Sequence, residues 1–159
     1  MDIRTATRAD LPAILKLVNS AFEVERFFKN RDRLDAQDLD AHFKTGTFLI
    51  AESAGVLSGC IYVTRHGERA YFGLLAVDPA RQKSGIGCRL VAAAEEFARE
   101  MGARFMDLKI INLRTELPPI YEKLGYQVSG TAPYPKEREH MLTRPVHFIC
   151  MSKELGHRP

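Results

Sequence analysis

The stretch RQKSGIGCRLVAAAEEF, residues 81–97, sets Gly85 and Gly87 one residue apart among Arg81, Lys83 and Arg89 and runs directly into an apolar-periodic segment. The first backbone N–H groups of a helix have no carbonyl partner and sit at the positive end of its dipole, so they attract anions. Glycines there let a phosphate approach those groups without meeting a β-carbon. Charge-assisted hydrogen bonds of this kind contribute about 1.5–3 kcal/mol each, so a few together hold a pyrophosphate. The same pair also reads as a tight turn with no ligand. Two nucleotide motifs fit poorly: a Walker loop needs Gly-Lys-Ser or Gly-Lys-Thr, and a dinucleotide fingerprint needs a third glycine where Leu90 stands,.

Charge distribution supports a local anion rather than a polyanionic partner. Residues 1–46 carry eight basic and eight acidic side chains, whereas 79–94 carry Arg81, Lys83 and Arg89 with no carboxylate. A formal net charge of +3 without a basic stripe argues against nucleic acid,. At 159 residues, 45% apolar and 27% charged, the chain is expected to be one domain, 1–159, with a sizeable core,. The opening MDIRTATRADLPAILKL lacks the uninterrupted apolar run of a signal peptide and no stretch has the length of a membrane span, so a cytoplasmic protein without membrane contact is expected,. Cys60, Cys88 and Cys150 are odd in number and far apart, which argues against a disulfide framework and a thiolate metal site; no metal is expected,.

The elements that must hold the glycines follow from periodicity. Thr7 with Asp10 resembles a capping box, and Leu11, Ile14, Leu15, Val18 and Phe22 predict a helix from about Arg8 to Phe22,. A charged loop and a short helix ending at Gly46 follow. TFLIAES (47–53), VLSGCIYVT (56–64) and AYFGLLAVD (70–78) predict an antiparallel meander, since the links between them are short,. Leu90, Val91, Ala94, Phe97, Ala98 and Met101 mark a long amphipathic helix stopped by Gly102, and RFMDLKII (104–111) is a strand reached by a right-handed crossover,. LPPIYEKLGY (117–126) predicts a short helix, and 126–130 and 145–153 are final strands,.

This arrangement resembles the GNAT superfamily of acetyl-CoA-dependent N-acyltransferases. The family's loop pattern matches Gln82, Gly85 and Gly87, LLAVDPARQKSGIGCRLV is similar to its strand, turn, loop and helix, and YEKLGY is similar to its second hallmark. The likeness covers about 47–126. It implies a mixed α/β fold with a mostly antiparallel sheet of about six to seven strands, bulged in its central strand and splayed between strands 4 and 5, flanked by about four helices. It also implies that the backbone of Leu75, Ala76 and Val77 receives the pantetheine arm of acetyl-CoA, that Gln82, Lys83, Ser84, Gly85, Ile86, Gly87 and Cys88 hold the pyrophosphate, and that Asn112 contacts the cosubstrate. One departure is visible: Tyr121 lies nine residues after Asn112, with Pro118 and Pro119 between, where the family often has seven.

Acyl transfer from a thioester to an amine needs a neutral amine, a donor for the tetrahedral oxyanion and an acid for the departing thiolate. The resemblance gives the acid to Tyr121, whose phenol pKa of about 10 is near that of a thiol at about 8.5; composition alone makes it a core tyrosine. The oxyanion donor is a backbone N–H near Val77. The strand has no carboxylate or histidine to serve as base, so water is the expected relay. Glu23 and Glu25 read first as solvated loop carboxylates and second as acceptor wall. Phe27, Phe28 and Tyr134 line an acceptor pocket or fill the core edge, and His140 and His147 read as structural or exposed. The expectation is an N-acetyltransferase acting on a primary amine as monomer or homodimer, with a non-catalytic acyl-CoA sensor of the same fold as the alternative.

Overall fold

The computed structural model describes residues 1–82 and 84–156. It opens with β1 (Asp2–Thr5), a short edge strand that the periodicity does not reveal, then a turn of 3-10 helix and α1 (Leu11–Ala21). Asp10 reaches back to accept from the Thr7 amide at 2.8 Å, one half of the expected capping box,. The α-helix stops at Ala21, and residues Phe22–Phe27 tighten into 3-10 geometry. α2 (Ala36–Thr45) starts at Asp35, whose side chain accepts from the Asp38 amide at 2.7 Å,.

β2 (Thr47–Ser53), β3 (Val56–His66) and β4 (Arg69–Val77) form the antiparallel meander. α3 (Ile86–Glu100) then crosses to β5 (Phe105–Ile111), which runs parallel to β4. α4 (Leu117–Lys123), β6 (Gln127–Pro133) and β7 (His147–Glu154) follow, giving one seven-stranded sheet in the order β1-β2-β3-β4-β5-β7-β6. This is the mixed, mostly antiparallel α/β architecture expected. Among the described residues no helix is long and apolar enough to cross a membrane.

Two apolar layers sandwich the sheet. On one side Leu90, Val91, Ala94 and Ala98 of α3 pack on Ile61, Val63, Phe72 and Met106; on the other Ile14 and Val18 of α1 and Leu39 of α2 cover Phe48, Ile50 and Ala76. α3 lies very close to the sheet at Gly59, where a β-carbon would meet Leu90 Cδ1 at 2.8 Å.

Two irregularities create an opening between the central strands. In β4, Gly73 pairs with Tyr62 and Ala76 with Cys60, so Leu74 and Leu75 together oppose Ile61. This is a β-bulge, and Leu74 adopts a φ of 50° within it,. The extra residue exchanges the two faces: Ala70 and Phe72 pack toward α3, whereas beyond the bulge Leu74 and Ala76 pack toward α1 and it is Leu75 and Val77 that turn to α3. The parallel ladder to β5 covers only Arg69, Tyr71 and the residue between them, opposite Phe105 to Asp107. Beyond Tyr71 the two strands part.

Candidate active site

The parting strands leave a cavity of about 200 Å³. Its floor is Tyr71 to Leu75 of β4 and Leu108 to Ile111 of β5; its walls come from α4, the 3-10 segment after α1 and the connection before β7. Tyr121 projects from α4 into this cavity, 8% exposed, with its ring 5.9 Å from that of Phe72. Its hydroxyl has no hydrogen-bond partner among the described residues. Burial pushes the phenol up to about 12, the nearby Arg114 opposes that shift, and the Cys88 thiol adds to it,.

Opposite Tyr121 stands a buried ion pair. Glu25 and Arg114 are joined at 2.9 Å, with side chains 9% and 14% exposed. Arg114 is fixed by the turn after β5, where its amide donates to the Ile111 carbonyl at 2.9 Å, and its Nε also meets Glu116 at 3.1 Å. The solvated reading of Glu25 is therefore replaced: it lies inside, while Glu23 is exposed. Lys29 is buried in the same cavity, and burial lowers its ammonium to about 8.

At the far end of β4 lies the glycine loop. The Asp78 amide donates to the Ser58 carbonyl at 2.9 Å, which turns alternate residues toward β3 and leaves the Val77 N–H and C=O facing the gap,. The Gln82 side chain folds back to donate to the Val77 carbonyl at 3.4 Å. Gly85 is the N-cap of α3 with φ 84°, a left-handed conformation that favours glycine,. The first helical bond is Arg89 N–H to the Gly85 carbonyl at 3.1 Å, so the amides of Ile86, Gly87 and Cys88 have no backbone acceptor among the described residues,. Gly87 is different from Gly85, because a β-carbon there would meet only Val77 Cγ2, at an ordinary 3.7 Å. The fold itself does not require glycine at 87; a ligand approaching the amides would.

The remaining expected residues fall as follows. Leu75 borders the cavity, and Ala76 is buried. The Ser84 hydroxyl donates to the Arg81 carbonyl, Ile86 is buried beneath the loop and Cys88 is exposed. Lys83 lies outside the described residues. Phe28 and Tyr134 line the cavity; Phe27 does not, being 44% exposed. Asn112 lies at the end of β5, its side-chain oxygen accepting from the His147 amide at 2.9 Å. Sequence reading did not single out Lys29, Arg33, Arg114 or Arg138, all of which line the cavity. Lys29 and Arg33 fall in RFFKNRDR, where basic residues stand among aromatic ones without a period; Arg114 and Arg138 carry no such local signal.

A bulged strand ending in a glycine-capped helix, splayed from its parallel neighbour around a buried tyrosine, defines an acyltransferase architecture. Residues 11–126 match the sequence profile of the acetyltransferase (GNAT) family, and the chain belongs to that family; it is an N-acetyltransferase. It is 31% identical over 140 residues to the uncharacterized N-acetyltransferase YhfO of Bacillus subtilis, covering 80% of this chain and 90% of that one. It is 27% identical over 145 residues to the L-amino acid N-acyltransferase MnaT of Escherichia coli, with 84% and 83% covered. The structure superimposes on that of YncA from Salmonella typhimurium, solved with its cofactor acetyl-CoA, with a TM-score of 0.75 at 20% identity, covering 100% of this chain and 96% of that one.

Proposed function

We propose that the protein transfers an acetyl group from acetyl-CoA to a primary amine of a small molecule or peptide by direct attack in a ternary complex. The observation that carries the reading is the pairing of Gly87, which the fold does not require, with amides at the start of α3 that have no backbone acceptor among the described residues, beside the strand that floors the Tyr121 cavity. The amides of 84–88 would hold the diphosphate, and the gap-facing edge of Leu75 to Val77 would take the pantetheine arm. Acetyl-CoA supplies the activated carbonyl. The Val77 N–H donates to the oxygen that gains charge, which is where a fixed donor is most effective. The acceptor enters beside Glu25 and gives its proton to water in the cavity.

Tyr121 protonates the departing thiolate. Its phenol at about 12 is a weaker acid than in water, but burial acts on thiols in the same direction, as it does on Cys60, pushed up to about 12 in this protein,. Desolvation of the cleft would act on the departing thiolate in the same direction as on the phenol. The reading is tested by mixing the protein with acetyl-CoA and a set of amines and following free thiol. Tyr121→Phe should reduce turnover about 100-fold with acetyl-CoA affinity unchanged. A fully active variant removes Tyr121 from the chemistry, and no thiol release with any amine overturns the transfer itself.

A further inference from the structure

The cavity that receives the acceptor is lined by five cationic side chains, Lys29, Arg33, Lys109, Arg114 and Arg138, and by one carboxylate, Glu25. Some of these charges are already answered. Arg114 pairs with Glu25 at 2.9 Å, Arg138 meets Asp38 at 3.5 Å, and exposed Lys109 sits over the Phe148 ring at 5.7 Å. Lys29 and Arg33 form no ion pair within 4.0 Å among the described residues, although Glu25 and Asp38 act on Lys29 from further away. Arg33 only lies over the face of Phe22, 5.5 Å from its centroid.

Lys29 is the unusual member. It is 5% exposed, its ammonium has no hydrogen-bond acceptor among the described residues, and it borders the cavity. The backbone holds it there: residue 29 bridges Leu142, the Asn30 amide donates to the Met141 carbonyl at 3.0 Å, and the Thr143 amide donates to the Phe28 carbonyl at 2.8 Å. With no fully buried side-chain polar atom left unpaired among the described residues, the Lys29 ammonium keeps its solvent contact through the cavity; holding a largely desolvated lysine there without a close partner is still costly, and a second cation nearby adds to the cost. An anionic ligand offsets both at once. A purely cationic acceptor would meet repulsion at the same place.

Resting on the acetyl-transfer reading of this cavity, we infer that the acceptor amine carries an oxyanion, a carboxylate or a phosphonate, which docks on Lys29 and Arg33 while the amine end lies toward Glu25. Phe22, Phe28 and Leu74 supply apolar lining for an uncharged part of the acceptor.

The test is calorimetry on the CoA-saturated protein, which reads acceptor binding without turnover, with acetyl transfer measured alongside. The probes are α-amino acids and β-alanine, each beside its carboxamide, and aminoethylphosphonate beside ethanolamine. The acids or the phosphonate should bind at least about tenfold more tightly than their uncharged counterparts, the size of one charge-assisted contact. Which of the two anions binds separates carboxylate from phosphonate. Lys29→Met should erase the preference while leaving the amide's affinity as it was, and Arg33→Gln, at a half-buried position, should reduce it. Equal or reversed affinities, or no binding by any acid or by the phosphonate, would overturn the proposal even if some amine were acetylated. Equal affinities with Lys29→Met losing turnover alone would instead make Lys29 a proton acceptor. Selective binding without acetylation would leave the anion site standing and remove the transfer reading.

Discussion

At the scale of single residues, Lys29 sets stability against function. Burial is the first cause of its lowered pKa; Arg33 and Arg138 push it further down, and Glu25 and Asp38 oppose them. The folded protein releases this proton near pH 8 and the unfolded chain near 10.5, so between those values the unfolded state binds more protons and stability rises with pH,. Lys29→Met should therefore be more stable than the parent below about pH 8, with the difference shrinking toward 10.5, in urea midpoints measured across that window. A variant less stable at every pH would contradict this. Neither Lys29 nor the depth of Glu25 was legible in the sequence. Glu25 is buried by Arg114, which is 89 positions away, and a charged run such as FEVERFFKNRDR has the composition of a solvated loop. The placement of Tyr121 on a short helix and of Gly85 at a helix start was legible because each sits in a short pattern whose meaning is local.

At the scale of elements, the two glycines at the head of α3 separate folding from binding. Gly85→Ala places a β-carbon in left-handed backbone and should cost about 1–2 kcal/mol of stability,. Gly87→Asp meets open helix geometry, and an acid in the first turn favours the helix dipole, so stability should hold or rise by about 0.3–1 kcal/mol,. Its CoA affinity should nevertheless fall at least about tenfold, because the carboxylate would stand where a phosphate is proposed. Unchanged affinity by calorimetry would refute the cradle. The elements themselves were mostly readable: the meander, the crossover helix and α4 carry strong periods. β1 escaped because DIRT offers one apolar residue, while the helix expected over about 8–22 is realised as 3-10 geometry at Arg8–Asp10 and α-helix at Leu11–Ala21. The bulge is hidden from period-two reasoning, since YFGLLAV is apolar on both faces and gives no sign of where parity changes,.

At the scale of the whole molecule, a sheet that splays in the middle must be held together elsewhere. At the closed end Arg69 of β4 grips Asp107 of β5 with bonds of 2.8 and 2.6 Å. Behind the sheet Glu95 of α3, 6% exposed, accepts from the Tyr126 hydroxyl at 2.7 Å and pairs with Lys153 of β7 at 2.9 Å. One side chain thereby joins the crossover helix to the half of the sheet beyond the split. Glu95→Ala would leave a lysine and a phenol without their partner and should cost about 3 kcal/mol in chemical denaturation, while Glu95→Gln should cost less; no loss in either would show that packing alone holds the halves. This tie was invisible in sequence, where Glu95 reads as one more charge in AAAEEFARE. The account as a whole turns on what lies at the open end. A crystal structure of the protein with CoA measures it directly: the diphosphate oxygens should sit within hydrogen-bond distance of the amides of 84–88, with the thiol reaching the cavity beside Tyr121. A diphosphate bound elsewhere, with those amides turned to protein or solvent, would contradict it.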